Sequence, residues 1–189
     1  YASITGTSMA APNVTGSLLL LQQHNNETAG FYMRAATLKG LALHTADDAG
    51  IVGPDAVFGW GLMNTKKAAE VITDEGTSSQ ISELTLATNQ TYEITVNSDG
   101  INDLMASISW TDLPGTATTA TNSNTARLVN DLDVRITKNG TAFLPWRLTG
   151  VNSNGLGDNT RDPYERIKVS NASGSYTITV THKGALTGG

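Results

Sequence analysis

The sequence predicts a mixed fold, in which a helical N-terminal part is followed by an all-β antiparallel sandwich or jelly roll. Three observations carry this. Up to about residue 73 the apolar residues recur at helical spacing or run together, whereas from Ser78 they alternate with polar residues at period two. Turn clusters then punctuate the chain at Ser98-Asp99-Gly100, Leu113-Pro114-Gly115, Lys138-Asn139-Gly140 and Ala172-Ser173-Gly174. Finally, 189 residues with 39% hydrophobic content suffice for one or two domains with real cores. The expected domains are residues 1–76 and 77–189.

Three helices are expected in the first part. Residues 8 to 24 begin with small side chains and pass into Leu18-Leu19-Leu20-Leu21, the pattern of a helix buried on every side. Residues 30 to 44 place Met33, Ala36, Leu41 and Leu43 at roughly helical spacing and form the second. Asn64 is an N-cap for the third, Thr65 to Thr73. His24 and His44 sit near the ends of the first two helices, where a cation suits the dipole.

Strands are expected from Ile81 to Leu86, Tyr92 to Val96, Leu104 to Trp110 and Leu132 to Ile136. Tyr164 to Val169 and Tyr176 to Val180 complete the set. His182 falls in this last strand pattern as a surface residue. The Thr116 to Thr125 tract, rich in Thr, Ala and Asn, reads as a surface loop. The residues after Lys183 contain no further apolar strand, which predicts an exposed sheet edge.

Composition narrows the function classes. A net charge of −5 recommends neither a nucleic-acid nor an anionic-membrane partner. No cysteine is present, which excludes a disulfide scaffold and a thiolate metal site. No apolar run approaches the roughly 20 residues that span a bilayer. Charged residues are only 15%, replaced by Thr, Ser, Asn and Gly, a surface common in secreted proteins. Trp60, Trp110 and Trp146 are expected as core or interface anchors. Asn-x-Ser/Thr sequons at Asn13, Asn26, Asn89, Asn139 and Asn171 are expected from composition alone.

Gly6-Thr7-Ser8-Met9-Ala10-Ala11-Pro12 delivers a serine to the first turn of a helix. A hydroxyl there lies near unpaired backbone N–H groups and the positive end of the helix dipole. That setting favours negative charge developing on an attacked carbonyl oxygen. Gly-Thr-Ser also makes an ordinary helix cap, so spacing alone admits both readings. The residues themselves resemble the nucleophile motif of the subtilisin-like serine proteases at every position. Phe58-Gly59-Trp60-Gly61-Leu62-Met63-Asn64 resembles the Gly-x-Gly-x-x-Asn/Asp element entering the last helix of the same catalytic domain. Residues 1–76 then represent the C-terminal end of a subtilisin-like α/β domain.

The resemblance implies that Ser8 is the nucleophile, that its backbone N–H helps to form the oxyanion hole, and that Gly6 and Thr7 contact substrate. It also implies a protein or peptide substrate and a secreted, extracellular enzyme. In the family the histidine, aspartate and oxyanion asparagine precede the serine. Only seven residues precede Ser8 here, and none is His, Asp or Asn. The three histidines all follow Ser8 and match no family motif. The chain is therefore read as a fragment, inactive alone, whose partner is the upstream part of the catalytic domain. The alternatives are an inactive isolated module with a stabilising or binding role, or a two-chain enzyme nicked before the serine. The Leu18 to Leu21 helix is expected to be covered by a partner or by self-association.

Trp110-Thr111-Asp112-Leu113-Pro114-Gly115 and Leu128-Val129-Asn130-Asp131-Leu132-Asp133-Val134 resemble segments of the C-terminal β-barrel domain of bacterial alkaline subtilases. Asn130, Asp131 and Asp133 cluster oxygen donors at a strand start, and Asp158, Asn159 and Asp162 form a second acidic loop. Hard cations take six to eight oxygens, and such loops supply them. The same residues cap turns through local hydrogen bonds, and both readings stand. Related barrels bind calcium, so the resemblance implies a structural calcium ion held by Asn130, Asp131, Asp133, Asp158 and Asp162.

Overall fold

The structure is a computed structural model that describes residues 4–121 and 123–188. Three helices come first: α1 (Thr7–Ala29), α2 (Ala35–Thr45) and α3 (Thr65–Thr73). Eight strands follow: β1 (Tyr92–Asp99), β2 (Leu104–Ser109), β3 (Asp131–Lys138), β4 (Thr141–Phe143), β5 (Trp146–Gly150), β6 (Ser153–Leu156), β7 (Tyr164–Val169) and β8 (Ser173–Lys183). The mixed fold with a β-rich second part is as the sequence predicts. No helix among the described residues is long and apolar enough to cross a membrane.

All strand pairings are antiparallel, in sheets ordered β1-β8-β3-β4, β2-β7 and β5-β6. The first two sheets face each other across one core of Ala106, Val134, Ile136, Ile167, Val169, Ala172 and Tyr176. Period-two alternation sends these side chains inward, which gives the two layers of a sandwich. β3 and β4 are joined by Asn139 (φ 49°) and Gly140 (φ 79°), with Lys138 opposite Thr141. Two successive positive φ values make the tight turn that Asn-Gly favours.

Several expectations change. α1 runs five residues beyond His24, because Asn25 turns inward and its Nδ2 donates to the Phe31 carbonyl at 2.8 Å. Left-handed Gly30 then ends the helix, its N–H donating to the Asn26 carbonyl. α2 starts at Ala35 rather than residue 30. Residues 81–86 belong to no strand; Ile81 packs on the helices instead. The sheet does present an open edge, and it lies on β1, since β1 and β3 flank β8. β4, β5 and β6 have no counterpart in the expected strands.

The helices share a small core of Leu21, Met33, Leu41, Ala68 and Ile72. Contrary to the all-round burial expected of α1, Leu21 is 1% exposed while Leu19 and Leu20 are 66% and 63% exposed. Among the described elements, α3 and α2 pack against this helix, and Met33 and Ile81 join the same core. Its N-terminal half, residues 7 to 16, is exposed throughout.

The Phe58 to Asn64 element is a chain reversal. Asp47 and Leu62 exchange two backbone hydrogen bonds of 2.8 Å. Gly61 (φ 111°) lies so close to this bridge that a Cβ would stand 2.0 Å from the Asp47 carbonyl oxygen. Asn64 caps α3: its Oδ1 accepts the Lys67 N–H at 2.9 Å and its Nδ2 donates to Asp47 Oδ2 at 2.8 Å. Substituting Asn64→Ala is expected to lower stability by about 1 kcal/mol in urea denaturation, the usual value of such a cap.

The helical unit and the sandwich are joined by polar and aromatic contacts. Arg166 of β7 donates to the carbonyls of Leu43 (2.9 Å) and His44 (3.4 Å) and lies 4.7 Å from the Trp60 ring centroid. Trp60 meets Tyr164 edge-on at 5.0 Å. Lys39 Nζ donates to the carbonyls of Trp110 (3.2 Å) and Pro163 (3.1 Å), and burial lowers its pKa. Asn154 Nδ2 donates to the carbonyls of Val52 and Pro54 at 2.8 and 2.9 Å. Gly53 presses on the ring of Trp146.

Candidate active site

Ser8 is the second residue of α1 and is exposed, as are Gly6 and Thr7. The Gly6 carbonyl accepts the N–H groups of Met9 (3.0 Å) and Ala10 (3.2 Å), which starts the helix. Gly6 has no side chain to cap α1, and the first turn carries no acidic residue. Among the described residues the Ser8 amide therefore meets no acceptor. Pro12 lies one turn on and has no N–H for the Ser8 carbonyl. The result is a hydroxyl beside free donors at the positive end of a 23-residue helix, where an oxyanion is favoured.

The described residues supply no base at this position. His24 lies 16 residues along the same helix, about 24 Å away at 1.5 Å per residue. Its Nε2 pairs with Thr73 Oγ1 at 2.9 Å, fixing α1 to α3 rather than ending α1 as expected. His44 packs between α2 and β2, with Nδ1 2.9 Å from Ser107 Oγ. Burial, and then the neighbouring Arg166 charge, lower its pKa to about 4, so it is neutral at pH 7. His182 Nε2 accepts the Asn89 N–H at 2.8 Å, and its Nδ1 faces the Gly184 carbonyl at 2.7 Å. Its proton therefore sits on Nδ1. No described hydrogen bond links any of the three to Ser8.

The residues expected to hold calcium are only partly brought together. Asp131, Asp133 and Asp158 converge, but on two cations. Lys183 Nζ lies 3.6, 3.1 and 3.3 Å from their carboxylates. Arg135 pairs with Asp133 at 3.1 Å and closely with Asp158. Asn130 is directed elsewhere: its Nδ2 donates to Asp112 Oδ1 and to the Thr187 carbonyl, both at 3.0 Å. Asp162 accepts from Asn159 Nδ2 at 3.1 Å, as a turn-capping residue does. Ammonium and guanidinium groups stand where a cation would, so this donor set as folded does not fit calcium. Among the described residues no group of three or more His, Asp or Glu side chains is placed to hold a metal ion.

Sequence reasoning missed Glu165, which is fully buried between the layers. Its Oε2 accepts the Val134 N–H at 2.7 Å and its Oε1 the Asn159 N–H at 3.2 Å. Burial, with the nearby Asp133, pushes its pKa up to about 7 despite those donors. Burial likewise raises the pKa of Asp131. The signal was present in Tyr164 to Val169, where Glu165 and Arg166 adjoin within a strand that is buried at five of its six positions.

Ser8 thus stands at a helix start with no side-chain cap among the described residues, followed by Met-Ala-Ala-Pro and a long helix. Comparison with known proteins gives a narrower likeness: residues 1–61 match the model of the subtilase family. An extracellular serine protease of Serratia marcescens is 41% identical over 68 residues, covering 36% of this chain and 6% of that protein. Serotype-specific antigen 1 of Mannheimia haemolytica is 43% identical over 63 residues, 33% of this chain and 6% of the relative. Neisserial autotransporter lipoprotein NalP of Neisseria meningitidis serogroup B is 45% identical over 65 residues, 34% of this chain and 6% of the relative. The chain thus covers a small part, 6%, of the length of these relatives.

Proposed function

We infer that these residues serve a secreted serine endopeptidase in which Ser8 attacks the scissile carbonyl. The attack forms an acyl-enzyme that water then releases. The observation that carries this reading is Ser8 itself, in a subtilase-family segment at an uncapped helix N-terminus. Oxyanion stabilisation would come from the free Ser8 amide, and Gly6 and Thr7 would border the substrate chain. The general base and its orienting carboxylate would come from residues outside these 189, so this chain alone does not hydrolyse peptides. The exposed apolar residues of α1, Met9, Val14, Leu19 and Leu20, support a docking role for the rest of that catalytic domain. The extracellular setting is supported by the names of the relatives, which include extracellular serine proteases.

The sandwich would act as a fixed brace on the catalytic part, and the partly buried contacts of Arg166 and Lys39 support that role. Its nesting of β1 with β8 and β2 with β7 supports the jelly-roll reading. The test is peptide hydrolysis by the longer protein carrying Ser8→Ala. Loss of turnover, with the circular dichroism spectrum unchanged, is the expected result. Retained turnover would assign the chemistry to another residue.

A further inference from the structure

We propose that the outer edge of β1 is a self-association site, where a second copy of this chain adds its own β1 antiparallel across a two-fold axis. The two edges of the β1-β8-β3-β4 sheet differ. β4 is three residues long, which blunts that edge. β1 has eight residues in unbroken register with β8 from Tyr92 to Asp99, an edge about 27 Å long at 3.4 Å per residue. It contains no proline and no bulge, and its charges are limited to Glu93 and Asp99 near its two ends. Among the described residues no backbone hydrogen bond reaches its outer side.

Side chains point to the same occupant. Tyr92, Ile94 and Val96 face the inner layer but stay only half-buried, whereas Val134 and Ile136 on the central strand are fully buried. A two-fold perpendicular to the sheet keeps both inner faces on one side, so facing residues must share an orientation. That leaves Ile94, Thr95 or Val96 as the centre. Centring on Val96 sets Glu93 opposite Asp99, two like charges. Centring on Ile94 pairs only five residues of the strand. Centring on Thr95 pairs Tyr92 to Ser98 throughout, with Ile94 opposite Val96, Glu93 opposite Asn97 and Thr95 opposite itself. These are favourable cross-strand neighbours, and no charge meets its like. Strand addition of this kind relies on main-chain hydrogen bonds, with side-chain register giving specificity. Such a contact is smaller than about 1,200 Å² and belongs to the weak, reversible class.

Sedimentation velocity of the 189-residue chain over a wide concentration range tests this. Thr95→Lys, at an exposed position, sets two ammonium groups face to face at the axis. It is expected to weaken dimerisation roughly tenfold, while a Leu19→Ser/Leu20→Ser double variant still dimerises. A chain that stays monomeric to millimolar concentration overturns the proposal. So does a dimer that survives Thr95→Lys but is lost in the Leu19/Leu20 variant, which would place association on α1.

Discussion

Arg166→Ala is expected to lower the stability of the whole chain by about 3–4 kcal/mol, measured by urea denaturation. Arg166 is 7% exposed and comes from β7, yet its guanidinium serves the helices. It donates to the carbonyls of Leu43 and His44 near the C-terminus of α2, where the helix dipole favours a cation. It also covers the Trp60 ring, a contact worth about 1–2 kcal/mol when desolvated. Removal leaves two carbonyls short of a donor and a void against Trp60 and Tyr164. Arg166→Lys keeps the charge but not the planar fork and should lie between the two. Amide exchange should accelerate in α2 and the 58–64 element before it does in β3 and β8. A loss below about 1 kcal/mol would mean that the junction is a solvated contact rather than a brace.

Between pH 4.5 and 7 the chain is expected to keep a nearly constant stability, because two buried groups act in opposite directions. Glu165 has its pKa raised from 4.5 to about 7, so the native state holds a proton that the unfolded chain releases. Its contribution is full below pH 4.5 and is lost as pH rises through 7, about 3 kcal/mol in all. His44 has its pKa lowered from 6.5 to about 4, so the unfolded chain takes up the proton first. Its contribution is full above pH 6.5 and is lost as pH falls through 4, also about 3 kcal/mol. Single substitutions expose each slope. Glu165→Gln should leave a chain that weakens steadily on acidification, whereas His44→Asn should leave one that strengthens between pH 7 and 4.5. If both variants keep the flat profile of the parent, the burial assigned to these two groups is wrong.

What the sequence made legible follows from how local each signal is. The boundaries of α3 and β7 and the Asn139-Gly140 turn agree with expectation because their determinants, a cap, an alternation and a positive-φ pair, lie within the element. The end of α1 was misplaced because Asn25 and Asn26 look like loop residues until tertiary contact buries Asn25. β4, β5 and β6 escaped notice because they are short and largely exposed, so they carry little apolar alternation. Residues 81–86 have the alternation of a strand but no partner edge. The likeness to the subtilase family was legible in residues 6–12, which lie within the matched segment. The junction was not, since Arg166, Trp60 and Lys39 are polar or isolated in sequence and gain their meaning from residues about 70 to 125 positions away. The acidic cluster was legible as a cluster, but its countercharges Arg135 and Lys183 belong to two different strands.

The central proposal is that Ser8 is a serine-peptidase nucleophile, in a segment similar to the subtilase family, that lacks a base within the described chain. Intact-mass measurement after treatment with a fluorophosphonate probe, with a Ser8→Ala control, tests it most directly. The expected result is no adduct on either chain, because the hydroxyl at the start of α1 has no imidazole to deprotonate it. A single adduct that disappears in Ser8→Ala would show that a base does reach Ser8, and the reading of this chain as inactive alone would be wrong.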